Sequence, residues 1–505
     1  MSTPSDLFEL ISEAYKKYYE SAFSLSDDKI SRERMKLLEQ EGTMSREPYL
    51  EVVPKYPAKI PFDDACRRAG IDEGIAAYLC NTIFGRSVNL REHQAEALKY
   101  SFSTDGRHNV VVTSGTGSGK TESFLVPILA RILSESIRYS EPPLNDWWLK
   151  QHARGDQWSS IRANNNREHR QPAVRAMILY PTNALVEDQI TRLRSAAKRA
   201  MRNGKPSFYF GRYTGATLGG TMFPQGSLDR SKIEKIEELS KQLKSLEEEQ
   251  KEMSGLSDEI INQFPDLRCG EMITRWDMIS TPPDILITNL SMLNVMLLRK
   301  LEAPILDKTR EWLEKSEENI FSLVIDELHS YRGTAGTEVA IVLRNLLMRL
   351  GLDYDSKQLR ILGTSASLDG EEGRDFLQGF FGVKKETFQI IPGLPYLEDS
   401  KVPVDLGELK SDLNAPNPPI GKLKVQLASA CRKAGMVNGE DFKPAPLTRV
   451  EASLIGNTEN TDIFKSLLRV INKADLENDE PEKPKPSFRA HLFYRQIKGF
   501  WACSN

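Results

Sequence analysis

Two groups of residues in this chain have the types and spacing to handle a nucleotide. The first reads Ser114-Gly115-Thr116-Gly117-Ser118-Gly119-Lys120-Thr121-Glu122 and follows directly on the apolar run Val110-Val111-Val112. Glycines at 115, 117 and 119 let successive backbone N–H groups turn inward around an anion, and the small Ser114 stands where the pattern wants its first glycine. Lys120 then supplies a mobile cation for β- and γ-phosphate oxygens and Thr121 a hydroxyl for Mg²⁺, while the helix that follows directs its positive end at the phosphates. The second group is Asp326-Glu327-Leu328-His329, after the apolar run Phe321-Ser322-Leu323-Val324-Ile325. Adjacent carboxylates at a strand tip point differently, so Asp326 can hold the Mg²⁺ shell while Glu327 orients an attacking water. An acidic pair alone is weak evidence. Downstream of a phosphate loop it points to ATP·Mg²⁺ chemistry, with Lys120, Asp326 and Glu327 catalytic and Thr121 and Asp326 as Mg²⁺ ligands.

These groups need strands to carry them. Short apolar runs at 176–179, 208–213, 285–288, 323–325 and 362–364 each end where polar or small residues begin, and helical patterns separate them. That alternation predicts an α/β fold, a doubly wound parallel sheet with ligands at the carboxyl ends of the strands. Residues 86–390 form this lobe, with insertions at about 140–175 and 222–270. The first insertion interleaves Lys150, Arg154, Arg162, Arg167, Arg170 and Arg175 with Trp148 and Trp158. It reads either as a solvated loop or as a grip on single-stranded nucleic acid by charge and stacking. In the second, Ile236, Leu239, Leu243 and Leu246 make one apolar seam on a charged helix, which packs back on its own domain or binds a partner.

Outside the lobe the signals are thinner. Residues 1–85 read as a helical accessory region, with Leu7, Leu10, Ile11, Tyr15 and Tyr18 at helical spacing, prolines from 54 to 61, and a second helical patch over 62–84. Beyond Gly382 the alternation fades, and 391–505 reads as linker around a small helical segment, finishing in a β-hairpin.

At 505 residues with 39% apolar composition the chain has enough material for several cores, and a net charge of −3 makes any nucleic-acid surface a local stripe. Its five cysteines, Cys66, Cys80, Cys269, Cys431 and Cys503, stand singly, which excludes a disulfide framework and fits a reducing compartment. The acidic N-terminus lacks a signal pattern and no apolar run approaches a membrane span, so the expectation is a cytoplasmic protein with no membrane partner.

Taken as a set, the motifs resemble the first RecA-like lobe of a superfamily 2 helicase of the DEAD/DEAH kind. Leu90-Arg91-Glu92-His93-Gln94 resembles the adenine-reading Q motif, 114–121 motif I, Tyr180-Pro181-Thr182-Asn183 with Gln189 motif Ia, and Tyr213-Thr214-Gly215 motif Ib. Asp284 to Asn289 resembles the next strand-end motif, Asp326 to His329 motif II, and Ser365-Ala366-Ser367 motif III. Finer likenesses, at 113–122, 288–293, 326–333 and Trp501-Ala502-Cys503, are to large bacterial helicases with an MrfA-type zinc-binding C-terminal region.

The resemblance implies an ATP-driven motor, 3′ to 5′ on single-stranded or tailed DNA, serving anti-phage defence or repair alongside other defence proteins. It implies that Arg91 and Gln94 read adenine. Residues Ser114 to Glu122 would hold the phosphates, and Ser365 and Ser367 would couple the sites. Pro181, Thr182, Asn183, Thr214, Gly215, Thr288 and Asn289 would then meet DNA phosphates through backbone N–H groups and hydroxyls. Between 192 and 212 seven basic residues occur with no acid, and they read as a solvated helix or, at Arg212 above all, as phosphate neutralisers. Two departures stand out. Leu328 replaces the usual alanine, and nothing after Ser367 resembles the arginine-rich motif VI of a second lobe. The expectation is therefore the N-terminal part of a longer polypeptide or one chain of a split motor. Such a chain would turn over slowly alone, with a Zn²⁺ site beyond Asn505 whose first ligand is Cys503. An ATP-responsive DNA-binding or scaffolding subunit and an RNA helicase are the rival readings.

Overall fold

Val110 and Val112 face one side of a sheet and Val111 the other, and all three are buried. The same two-sided burial recurs at Ala176, Ile178 and Tyr180 against Met177 and Leu179, which requires helices on both faces. The computed structural model describes residues 3–494 apart from 54, 116, 140–142, 150–157, 163–168, 221–228, 254, 332, 367, 369, 395–403, 438–440, 457–460 and 478–485. It contains two compact units, residues 56–395 and residues 1–55 with 396–505.

The larger unit holds seven strands: β1 (Asn109–Thr113), β2 (Ala176–Tyr180), β3 (Phe210–Tyr213), β4 (Ile285–Asn289), β5 (Phe321–Ile325), β6 (Leu359–Ser365) and β7 (Phe388–Pro392). They form one parallel sheet in the order β7-β1-β6-β5-β2-β4-β3. One face packs on α1 (Glu92–Ser101), α2 (Lys120–Ser136) and α3 (Asn183–Arg199). The other packs on α4 (Arg230–Glu252), α5 (Ala303–Lys315), α6 (Thr334–Leu350) and α7 (Gly370–Phe381). The doubly wound α/β expectation is met, with one strand more than foreseen. β7 lies on the edge beside β1, register Val110 with Gln389, where the sequence pattern had been read as fading.

The 62–84 patch forms two helices, Phe62–Arg68 and Glu73–Phe84, whose Phe62, Ala65, Ile75 and Leu79 bury in the α1–α3 side of the core. They belong to the lobe and not to a separate accessory region. The first insertion is also corrected. Trp147 and Trp148 are buried, Trp158 stands edge-on to Trp147 and Trp276, and Ile236, Leu239 and Leu243 of α4 close over this cluster. Arg162, Arg170 and Arg175 point inward to the fully buried Asp284, at 3.5, 2.6 and 3.0 Å. These aromatic and basic residues hold the insertion to the sheet instead of facing nucleic acid. Lys150, Arg154 and Arg167 lie outside the described residues. The seam of α4 packs on its own domain, as one of its two readings expected.

The smaller unit corrects the reading of both ends of the chain. Strand Ser45–Val52 pairs antiparallel with Phe488–Tyr494, Val52 opposite Phe488, and with Ala445–Pro446 on its other side. Leu50 buries among Leu409, Leu423, Leu427, Val450, Leu454 and Leu467 from the helices of 406–477. Residues 396–505 thus contribute a core of their own, and Phe488–Tyr494, the last strand among the described residues, pairs into this sheet. Residues 495–505, with Cys503, lie outside the described residues. In the first helix, Pro4–Ala22, the buried position is Tyr19, while Leu10 and Tyr18 are exposed.

Candidate nucleotide and nucleic-acid site

β1, β2, β5 and β6 end side by side, which brings the phosphate loop and the acidic pair together. Gly117 and Gly119 take φ of +80° and +73°, a conformation an L side chain resists, and Gly119 serves as the N-cap of α2. A Cβ at 119 would lie 2.5 Å from both Arg91 Nη1 and Gln94 Nε2, so glycine is also required for close approach. Thr116 lies outside the described residues.

The residues assigned to adenine stand against the loop itself. Gln94 donates to the Gly119 carbonyl at 2.9 Å and accepts the Arg91 backbone N–H, also at 2.9 Å, while Arg91 reaches the Gly117 carbonyl at 3.3 Å. Two residues that sequence reasoning passed over complete this brace. Buried His93 donates its Nε2–H to the Ser118 carbonyl at 2.9 Å, since a carbonyl can only accept, and burial keeps the ring below its ordinary pKa. The Tyr56 hydroxyl accepts from Gly115 N at 3.2 Å. Ser114 earns its place by a hydroxyl contact with Ser118 at 2.5 Å and by its N–H, which donates to Ser365 O on β6 at 3.1 Å. Glu122 pairs with Arg192 of α3 at 2.9 Å.

Across the strand ends, Lys120 Nζ lies 3.0 Å from Glu327 Oε1. Glu327 has φ of +56°, which costs a non-glycine residue roughly 1–2 kcal/mol. Its N–H is held by Asp326 Oδ1 at 3.1 Å and Thr364 Oγ at 3.2 Å. Thr364 also donates its hydroxyl to Asp326 Oδ1. The resemblance places coupling on Ser365 and Ser367, whereas Thr364 is the residue in contact with the acidic pair. Ser365 acts through its carbonyl on the loop, and Ser367 lies outside the described residues. Strand alternation was the available signal, since Thr364 precedes the matched motif by one residue. His329 Nδ1 lies between Glu327 Oε2, at 3.2 Å, and the Ala366 backbone nitrogen, at 3.4 Å.

Burial, reinforced by the neighbouring Glu327 charge, holds the Asp326 carboxyl above its ordinary range despite the Thr364 hydroxyl and Lys120. A buried carboxylate of that kind and the hydroxyl of Thr121, in the first turn of α2, are hard-oxygen donors of the type a divalent cation takes.

Leu328 has its own accommodation. It is buried, and a Cβ at Gly363 of β6 would come within 2.6 Å of its Cδ1 and 3.2 Å of Val111 Cγ2. The larger side chain after the acidic pair is matched by a missing one on the neighbouring strand. We expect Gly363→Ala to lower stability by about 1–3 kcal/mol through overpacking, and Gly363→Ala with Leu328→Ala to recover part of it, as read by thermal melting. Additive losses would show that the two positions are independent.

At the nucleic-acid end the structure sorts the expected residues. Thr182 and Asn183 at the start of α3 and Gly215 after β3 are exposed, Pro181 is half-buried, and Asn289 donates to Asn183 Oδ1 at 2.7 Å. Thr214 and Thr288 are buried, and the Thr288 hydroxyl donates to Tyr213 O at 2.6 Å, so these two side chains serve the fold. The basic run of 192–212 finds its acids elsewhere in the chain. Arg194 forms two bonds of 2.7 Å with buried Glu271, Lys198 meets Asp266 at 3.2 Å, and Arg212 pairs with Glu187.

Residues 91–218 match the DEAD/DEAH box helicase family. The matched segment carries the phosphate loop of this lobe and runs to the turn after β3. The chain is 32% identical to the Druantia protein DruE of Escherichia coli (strain UMEA 4076-1) over 435 residues. That alignment takes in 77% of this chain, which spans 22% of the relative's length. Among solved structures, the DUF1998 helicase MrfA bound to DNA and AMPPNP is 19% identical at a TM-score of 0.37, covering 72% of this chain and 33% of that one. The DEAD-box helicase Mss116 bound to ssRNA and UDP-BeF is 13% identical at 0.35, covering 68% and 47%. No helix among the described residues of the chain is long and apolar enough to cross a membrane.

Proposed function

We propose that this lobe binds and hydrolyses ATP·Mg²⁺ as the first half of a cytoplasmic motor on single-stranded DNA. The observation that carries this is the 3.0 Å pair between Lys120 and Glu327, which brings the loop cation and the general base to one point between strand ends. In this reading the N–H groups of the loop, Ser114 to Gly119, and the Lys120 ammonium hold the phosphates. Thr121 and Asp326 hold Mg²⁺, which offsets phosphate charge. Glu327, released from Lys120 when phosphates draw that lysine away, accepts the proton of the attacking water. Arg91, His93 and Gln94 hold the loop in shape, and Arg91 and Gln94 also face the adenine.

The DNA part rests on the exposed Thr182, Asn183 and Gly215 with the half-buried Pro181 and Asn289 and the nearby Arg212, and on the likeness to a Druantia protein. Movement in the 3′ to 5′ sense, a second RecA-like lobe supplying an arginine finger, and service in anti-phage defence belong to the same proposal. Contacts to backbone phosphate give binding that ignores base sequence and weakens with salt. Arg212→Glu should therefore weaken binding of single-stranded oligonucleotides of any sequence and reduce the slope of log affinity against log salt by about 0.7, with ATP binding intact. Single-stranded RNA of matching sequence should bind more weakly. Equal affinity for the two would overturn the choice of DNA, and an unchanged slope would leave Arg212 to Glu187 alone.

A further inference from the structure

At the amino-terminal ends of the strands, opposite the nucleotide, lies a cavity of about 250 Å³ whose walls include Phe102, Arg131, Arg138, Arg175 and Trp312. Three arginines line it and a fourth, Arg360, shares a backbone acceptor with one of them, and the four differ in how they are neutralised. Arg175 is fully committed, to Asp284 at 3.0 Å and Glu135 at 2.6 Å. Arg131 lies 4.1 Å from the Phe102 ring and donates to the Ser101 carbonyl at 2.6 Å. Arg360, at the start of β6 and only 7% exposed, donates to that same carbonyl at 3.0 Å and to Lys357 and Leu359 carbonyls. Neither Arg131 nor Arg360 has a carboxylate partner among the described residues, and Arg138 at the rim has none either. A half-buried and a buried cation sharing one neutral acceptor is a costly arrangement, because charges removed from water are ordinarily paired. Burial and mutual repulsion pull Arg131 down to about 9 and Arg360 is pulled by burial to about 10. The neighbouring His108 is pushed by burial and the same arginines to about 4, so it adds no charge at neutral pH. The only unpaired acid of the wall is Glu318, at the exposed entry to β5.

We propose that this cavity is a binding site for a compact free oxyanion of phosphate size, held by Arg131 with Arg360 behind it and drawn in by Arg138. The volume suits one such anion with a few waters, at about 30 Å³ per water. Guanidinium forks match tetrahedral oxyanions through paired N–H donors. The site is separate from the phosphate loop. Arg131 and Lys120 lie on the same helix α2, eleven residues or about 16 Å apart.

The test is the melting temperature of the chain in inorganic phosphate against chloride of matched ionic strength. Wild type and Lys120→Ala should both rise by about 2–4 °C near a hundredfold excess over the dissociation constant. Arg131→Gln, which keeps a donor for Ser101, should lose at least tenfold in apparent phosphate affinity. No rise in wild type, a rise equal in chloride, or a rise abolished by Lys120→Ala would overturn the proposal, the last by placing the anion in the phosphate loop. Should Arg131→Gln fail to fold, the exposed Arg138→Glu decides: several-fold weaker phosphate binding supports the site, and unchanged affinity refutes it.

Discussion

Replacing Lys120 by alanine is expected to weaken ATP binding on the order of 100-fold, about 2.8 kcal/mol, as measured with a fluorescent ATP analogue. The loss has two sources. The loop forfeits its mobile cation, and Glu327, now without its 3.0 Å partner, faces the phosphates as an uncompensated charge. Lys120→Arg should restore only part of the affinity, because a planar fork does not fit a cradle shaped for one ammonium. Because Arg91, His93 and Gln94 brace the loop through its own carbonyls, the fold of the loop should survive the substitution. Melting of the Lys120→Ala chain close to that of wild type, in the absence of nucleotide, checks that point.

The second large effect is structural. Asp284→Ala should cost about 3–5 kcal/mol, since it removes the carboxylate that three buried guanidiniums share, of which Arg175 keeps a second carboxylate, Glu135. It also removes the acceptor of the Tyr209 N–H at 2.8 Å. Burial alone would raise the Asp284 pKa, yet Arg170, Arg162 and Arg175 outweigh burial and hold it below the ordinary carboxylate range. A depressed folded-state pKa contributes stability that is present above the unfolded value, near 3.9, and is lost as pH falls through the lower folded value. The wild-type melting temperature should therefore decline below about pH 4 more steeply than that of Asp284→Ala. Parallel curves would show that the cluster does not act through this carboxylate.

That cluster marks the limit of what was legible beforehand. The loop Ser114 to Thr121 and the pair Asp326-Glu327 are set by local chemistry, glycine freedom and strand-end position, so the sequence displays them directly. Whether Trp148 or Arg170 faces water depends on partners about a hundred residues away, Glu247 for Trp148 and Asp284 for Arg170, and residue type alone reads the same for a core contact and a surface grip. Strand Ser45–Val52 was missed for a similar reason. It carries Arg46, Glu47 and Glu51, and its partner strand begins at Phe488. Basic residues from 192 to 212 looked unopposed because their acids, Glu187, Asp266 and Glu271, lie outside the run.

At the site, position was more legible than orientation. The carboxyl ends of β1, β2, β5 and β6 carry the residues expected there, but side-chain direction turned the Thr214 and Thr288 groups inward and put Thr364, not Ser365, on Asp326.

The central claim is that Glu327 is the base of a nucleotide hydrolase and that Lys120 holds it ready. The most direct measurement is single-turnover hydrolysis of ATP by Glu327→Gln, with enzyme in excess, alongside its equilibrium affinity for ATP. Affinity should stay within a few-fold of wild type and hydrolysis should fall on the order of 100-fold or more. Hydrolysis by Glu327→Gln at the wild-type rate would contradict it.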